Sequence, residues 1–320
     1  MRIIILLLIA ASTVACRKEE RPIPAKEIGD LIINGAEMNN DYRYQLYFNL
    51  EENEFVGKNL KTDWDIAFTT GSSDFRIKLN AANAMSAANF GAVDFFSITD
   101  TAGFAAKEVF DAISGNLDST AIGDWRNKDE LYIINRGFSY TGQHRGYAKM
   151  KIISSDANSY TIKLADINES SGETYSIKKQ SSYNFSFFSL DEMQQVQIEP
   201  PKANWDLAFT QYVHIFYELQ PLPYLVTGTL LNSYETKATL VEDVEFEAID
   251  IQFAMEQELS ENVNEIGYDW KSFIDGNYII HSEKIYIIQD QNSFFYKLRF
   301  IDFYDENGQR GKPTWEYMAL

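Results

Sequence analysis

The string Trp64-Asp-Ile-Ala-Phe-Thr69 returns as Trp205-Asp-Leu-Ala-Phe-Thr210, and this recurrence constrains the fold more than any other feature of the chain. It is part of an ordered series. Tyr44-Gln-Leu-Tyr-Phe-Asn-Leu50 precedes the first copy and Tyr183-Asn-Phe-Ser-Phe-Phe-Ser-Leu190 the second. Ile122-Gly-Asp-Trp125 and Ile266-Gly-Tyr-Asp-Trp270 follow, then Leu131-Tyr-Ile-Ile134 and Ile285-Tyr-Ile-Ile288. The spacing between matched positions drifts only by loop-sized amounts, as in two related units with different insertions. The chain therefore reads as an internal duplication with its join near residues 175–182.

Each unit reads as strands. Tyr147-Ala-Lys-Met-Lys-Ile-Ile153 and Phe295-Tyr-Lys-Leu-Arg-Phe300 set Lys149 and Lys151, or Lys297 and Arg299, on one side of a ribbon, and apolar residues on the other, the mark of a half-buried strand. Similar runs occur at Tyr44–Leu50, Phe75–Leu79, Leu131–Ile134, Tyr160–Leu164, Tyr183–Phe188, Tyr224–Leu231 and Lys284–Ile288. Aromatic residues make up 14% of the chain, which suits cross-strand packing. Helical rhythm is confined to Ala105–Ile113, with Asp243–Leu259 ambiguous. The expected class is all-β: an internally duplicated antiparallel sheet or sandwich architecture with few short helices. Within the repeated string, strict alternation places Trp64, Ile66 and Phe68 on a core face and Asp65, Ala67 and Thr69 on the other, with the same arrangement from Trp205. Each Asp is expected to hold a backbone N–H or an arginine rather than to act as a catalytic acid. Pro200-Pro201 reads as a stiff extended lead into the second string.

The N-terminus has the anatomy of a secretory signal: Arg2, an apolar run from Ile3 to Ala11, and small residues up to Cys16. Thr13-Val14-Ala15-Cys16 looks like a bacterial lipobox, and Cys16 is the sole cysteine. Residues 1–15 then form a lipoprotein signal peptide, 16–40 an acylated cysteine with a flexible tether, 41–178 a first β module and 179–320 a second. Arg17-Lys18-Glu19-Glu20 resembles an export tag toward the outer face of the outer membrane. The formal charge of -19 argues against nucleic acid as a partner. Local signatures of hydrolases, zinc proteases, nucleotide-binding loops and paired redox cysteines are absent from the sequence, so the chain does not read as an enzyme.

Taken together, "TDWDIAF", "WDLAFTQYVHIF", "YLVTGTLLN", "IGYDW", "TGQHRGYAKM" and "YIIQDQNSFFYKLRFIDFYDENGQRGKPTWEY" resemble the HmuY-like family of bacterial surface lipoproteins, particularly its longer members with two WD-AF segments. The resemblance implies an all-β protein that binds haem as its cofactor, capturing it outside the cell through His or Met and passing it to an outer-membrane TonB-dependent receptor. Candidate iron ligands here are His144, in a Gly-punctuated loop, His214, just past the second string, and Met85, among small residues. Arg145 is the propionate candidate. His281 reads as a surface turn. The alternative is a non-haem surface protein that binds a glycan or a protein on the same scaffold.

Overall fold

A computed structural model describes residues 29–217 and 220–320; the signal segment and Cys16 lie outside the described residues. In chain order, the first repeat supplies β1 (Ile32–Gly35), β2 (Tyr44–Asn49), β3 (Glu54–Leu60), β4 (Ile66–Thr69), β5 (Ile77–Leu79), β6 (Ser86–Asn89), β7 (Glu108–Val109), β8 (Leu131–Asn135), β9 (Tyr147–Ser155) and β10 (Ser159–Asp166). β11 (Glu173–Lys178) closes the first, and the second supplies β12 (Phe185–Ser189), β13 (Gln194–Val196), β14 (Leu207–Phe216), β15 (Leu222–Leu231), β16 (Lys237–Val241), β17 (Lys271–Ile274), β18 (Asn277–Ile280), β19 (Ile285–Gln289), β20 (Phe295–Tyr304) and β21 (Arg310–Ala319). Helix is limited to α1 (Ile251–Met255) and short 3-10 turns among the described residues. The fold is all-β and antiparallel, as the alternation requires.

Alternation also decides where the long strands face. Met150 and Ile152 of β9, and Leu298 and Phe300 of β20, enter two separate hydrophobic cores. The lysines between them point away from those cores, yet Lys149 and Lys297 are buried because a loop folds over each. Lys149 Nζ donates to the carbonyls of Ile98 and Glu169, and Lys297 Nζ to those of Phe246 and Ile249. Carbonyl acceptors make burial of these cations tolerable.

The cores lie between pairs of sheets. Sheet β1-β21-β20-β19-β16 packs on β15-β14-β2-β3, and sheet β11-β10-β9-β8-β6-β7 packs on β13-β12-β4-β5. Neither pair is built from one repeat. Strand β2 pairs with β14 and β4 with β12, so the β2–β3 hairpin completes a sheet of the second repeat and β12–β13 completes one of the first. Strand β1 likewise pairs with β21 at the far end of the chain. Ile32–Gly35 were read from the sequence as tether; they are this strand, with Ala36 and Met38 entering the core behind it.

The repeated string makes the exchange. Asp65 N–H donates to the carbonyl of Phe188, and Leu190 N–H donates to Asp65 Oδ2 at 2.8 Å. In the other copy, Asp206 N–H donates to Phe48 O, and Leu50 N–H donates to Asp206 Oδ2 at 2.8 Å. A buried asparagine backs each turn: Asn80 Nδ2 donates to the carbonyls of Lys61 and Trp64, and Asn232 Nδ2 to those of Lys202 and Trp205. Each aspartate thus holds a backbone N–H, and Asp65 also faces Arg136 at 3.3 Å and Arg145 at 2.8 Å. The tryptophans depart from the expected alternation. A bend at each Asp delays the strand until Ile66 or Leu207. Ile66 and Phe68 enter a sandwich core, whereas Trp64 joins Ala67 and Phe187 on the other face, and Trp205 joins Tyr47 and Ala208.

Three other local readings change. Ala105–Ile113 is not helical: Glu108–Val109 form β7 against β6, and buried Asp111 takes N–H groups from Leu79 and Ala121, a tertiary pull that overrides helical rhythm. Pro200-Pro201 leads into a 3-10 turn, Lys202–Asn204, rather than directly into a strand. Within Asp243–Leu259, Asp250 caps α1 by accepting the Phe253 N–H.

Asp65 answers two buried guanidiniums as well as a backbone donor. Replacing it in D65A leaves those cations short of a partner, and urea unfolding should show a loss of about 3–5 kcal/mol, with D65N falling between it and the parent.

Candidate functional site

Strands β2, β4, β12 and β14 are buried on both faces, which explains their dense apolar runs. One face of each belongs to a sandwich core. The other faces look across at each other, from sheet β15-β14-β2-β3 to sheet β13-β12-β4-β5, and enclose a recess. It holds a cavity of about 160 Å³ inside a wider cleft of about 1000 Å³ that includes its open mouth. Its walls are mainly Trp64, Phe185 and Phe187 on one side and Tyr47, Trp205 and Leu230 on the other, with Ala67 and Ala208 keeping the middle clear. Trp205 meets Tyr47 edge-on at 5.0 Å and Trp64 meets Phe187 at 4.9 Å. Trp64 Nε1 donates to Gln45 Oε1, and Asn184 Nδ2 to Asn232 Oδ1, stitching the two walls together.

One lysine and two carboxylic acids reach this apolar recess: Lys78, Asp111 and Glu199. Burial raises Asp111 and lowers Lys78 from their ordinary values. Glu199 accepts the Phe185 N–H at 2.8 Å, and burial pushes its carboxyl up to about 7.

The three histidines occupy separate surroundings. His144 lies in the exposed loop between β8 and β9, where both ring nitrogens are engaged: Gly146 N–H donates to Nδ1, which leaves Nε2–H to donate to Asn135 Oδ1 at 2.9 Å. Its ring packs on Phe138 and Tyr147. His281 contacts Ser272 and Glu283. His214 differs, because among the described residues its ring nitrogens have no hydrogen bond. The ring sits 4.7 Å from Phe216 and 4.9 Å from Tyr268, and burial lowers its pKa from the ordinary 6.5. Regular pairing of β14 with β15 places it two residues beyond Tyr212, on the strand face of Thr210, and the bend at Asp206 turns Trp205 to that face as well.

Met85 is packed in the core of the β9-containing sandwich, 1% exposed. Arg145 NH2 reaches Asp191 at 2.8 Å and Thr62 O at 3.1 Å, and its NH1 reaches Asp65, so its guanidinium is already matched to carboxylates. The structure therefore brings no two of His144, His214 and Met85 together. Among the described residues no group of three or more His, Cys, Asp or Glu could hold a metal ion. Sequence reasoning did not single out the cleft residues Lys78 and Glu199, because in Phe75-Arg-Ile-Lys-Leu79 a lysine falls where a half-buried strand ordinarily turns to solvent.

Fold and site define a class: an all-β scaffold with an aromatic-lined recess, the setting in which small ligands are held. The profile of the family described as HmuY protein matches residues 41–317, and the chain belongs to that family. Among solved structures it is similar to the apo HmuY analogue of Tannerella forsythia, at 9% identity over 92% of this chain and 99% of that one, with a TM-score of 0.34. It is also similar to apo PinO from Porphyromonas gingivitis, at 9% identity over 91% and 98% of the two chains, with a TM-score of 0.29. No curated protein matches the chain.

Glu199 makes folding pH-dependent. Its folded pKa of about 7 lies above the ordinary 4.5, so between those values the folded state binds more proton and stability falls as pH rises. Urea unfolding at pH 5 and pH 8 should differ by about 3 kcal/mol from this group. E199Q, whose amide oxygen still accepts the Phe185 N–H, should flatten that difference.

Proposed function

We propose that this protein is a lipoprotein, anchored in the outer membrane by acyl chains on Cys16 and facing outside the cell, that binds haem and passes it to a TonB-dependent receptor. Membership of the HmuY family supports haem as the ligand. The observation that carries the site is the environment of His214. A ligand to haem iron must offer a neutral imidazole nitrogen, and burial holds this ring toward its neutral form while the Phe216 and Tyr268 rings pack against it edge-on and tilted. His144 would have to surrender Asn135 or Gly146 to ligate iron, and Met85 would have to leave a core. A ring nitrogen of His214 would hold the haem iron, with the Phe216 and Tyr268 rings beside it. A single ligand toward the far end of the β14–β15 ribbon, where His214 pairs with Tyr224, rather than two inside a closed pocket, favours release to a receptor.

A second reading, a non-haem glycan or protein ligand, draws support from the far end of the β14–β15 ribbon. Tyr217, Leu222 and Tyr224 are exposed there, and aromatic rings at such positions suit either partner.

Ferric haem titrated into the chain lacking residues 1–16 should give a saturable Soret shift. H214A should abolish it and H144A should leave it. Affinity should fall in acid, where protonation competes for the ring nitrogen, and the fall should begin at a lower pH than for an ordinary imidazole because burial holds the ring neutral. A merely linear absorbance change in the parent protein would favour the second reading, and a saturable shift that survives H214A would remove His214 from the role.

A further inference from the structure

The walls of the cleft repeat, and one position breaks the repetition. Ile66 pairs with Phe188, and Leu207 with Phe48, so β4 and β14 occupy equivalent places in the two sandwiches. One residue further on, Ala67 matches Ala208. Across the next ladder Ala67 pairs with Lys78, whereas Ala208 pairs with Leu230. The scaffold accepts leucine at this place in one copy and carries a lysine at the same place in the other. Burial opposes the charged form of that lysine, so packing does not account for it.

Asp111 and Glu199 favour the charged lysine through space, but neither reaches it directly. Among the described residues Lys78 Nζ has no hydrogen bond and no carboxylate within ion-pair distance; the Phe185 ring lies 5.0 Å away. Asp111 and Glu199 face the same recess, but their oxygens accept backbone N–H groups, from Leu79 and Ala121 and from Phe185. In the opposite wall the indole N–H of Trp205 is also buried without an acceptor. The cavity thus combines apolar, aromatic walls with two donors lacking acceptors.

We propose that the cleft between the two sandwiches binds a small aromatic or aliphatic carboxylate, its apolar body between Trp64, Phe187 and Trp205 and its carboxylate on Lys78. Size sets the class. A cavity of about 160 Å³ is close to the roughly 150 Å³ apolar cavity that accommodates benzene, so the ligand has one ring or a short chain. A charge-assisted bond from the ammonium to a carboxylate in this mainly apolar recess is strong, and it selects the acid over its neutral amide. This site is separate from His214 and does not rest on the haem reading.

The experiment is titration of the full chain with 3-phenylpropionate, followed by tryptophan fluorescence because Trp64 and Trp205 form the walls. Saturable quenching is expected, with 3-phenylpropanamide binding about tenfold more weakly or worse. K78M, which removes the buried charge but keeps the stem, should fold and should equalise the acid and the amide. H214A should leave both affinities unchanged. Absence of saturable quenching by the acid, equal binding of acid and amide to the parent, or an acid preference that persists in K78M would each overturn the assignment. A haem titration that fails while phenylpropionate binds would separate this site's fate from that of the haem reading.

Discussion

The architecture depends on one contact made twice: a buried aspartate that takes a backbone N–H at the turn of a hairpin from the other repeat. Asp65 holds Leu190 and Asp206 holds Leu50. Both sit in a wholly buried setting, where an unpaired N–H or carboxylate would be costly. Each bond therefore fixes the register of an exchanged strand against its host. Asn80 and Asn232 brace the same corners by satisfying the carbonyls that the bend exposes. The sandwiches share strands, so neither core is complete without residues from both halves of the chain.

The cleft follows from that exchange. Once β2 lies beside β14 and β12 beside β4, the outer faces of the two inner sheets confront each other, and the bend at each Asp swings Trp64 and Trp205 onto those faces. The tryptophans thus serve as scaffold and as walls at once. Alanines 67 and 208 keep space open between them. Lys78, opposite Leu230 in the matching place, makes the recess chemically one-sided.

Much of this was legible in the residues. The strands at Tyr147–Ser155 and Phe295–Tyr304, with their inward Met150 and Leu298, follow from alternation alone, and so does the role of Asp65 and Asp206 as holders of backbone donors. The asparagine pair was within reach as well, since Leu79-Asn80 and Leu231-Asn232 repeat in the series. Ala105–Ile113 misled because a local rhythm was outweighed by the buried Asp111, whose two N–H partners lie at Leu79 and Ala121. The histidines could not be ranked by their sequence neighbours, because what separates them is whether a hydrogen bond already occupies the ring.

What the sequence by itself determined is the doubled, strand-built body and its family, because a period of two and a repeated ordered series are written in local residue order. What only the tertiary structure decided is which hairpin closes which sheet, which way the tryptophans turn, and which imidazole and which lysine are left without a hydrogen bond. Those depend on pairing between residues more than a hundred positions apart, where either repeat offers nearly the same apolar faces and only the folded register distinguishes them.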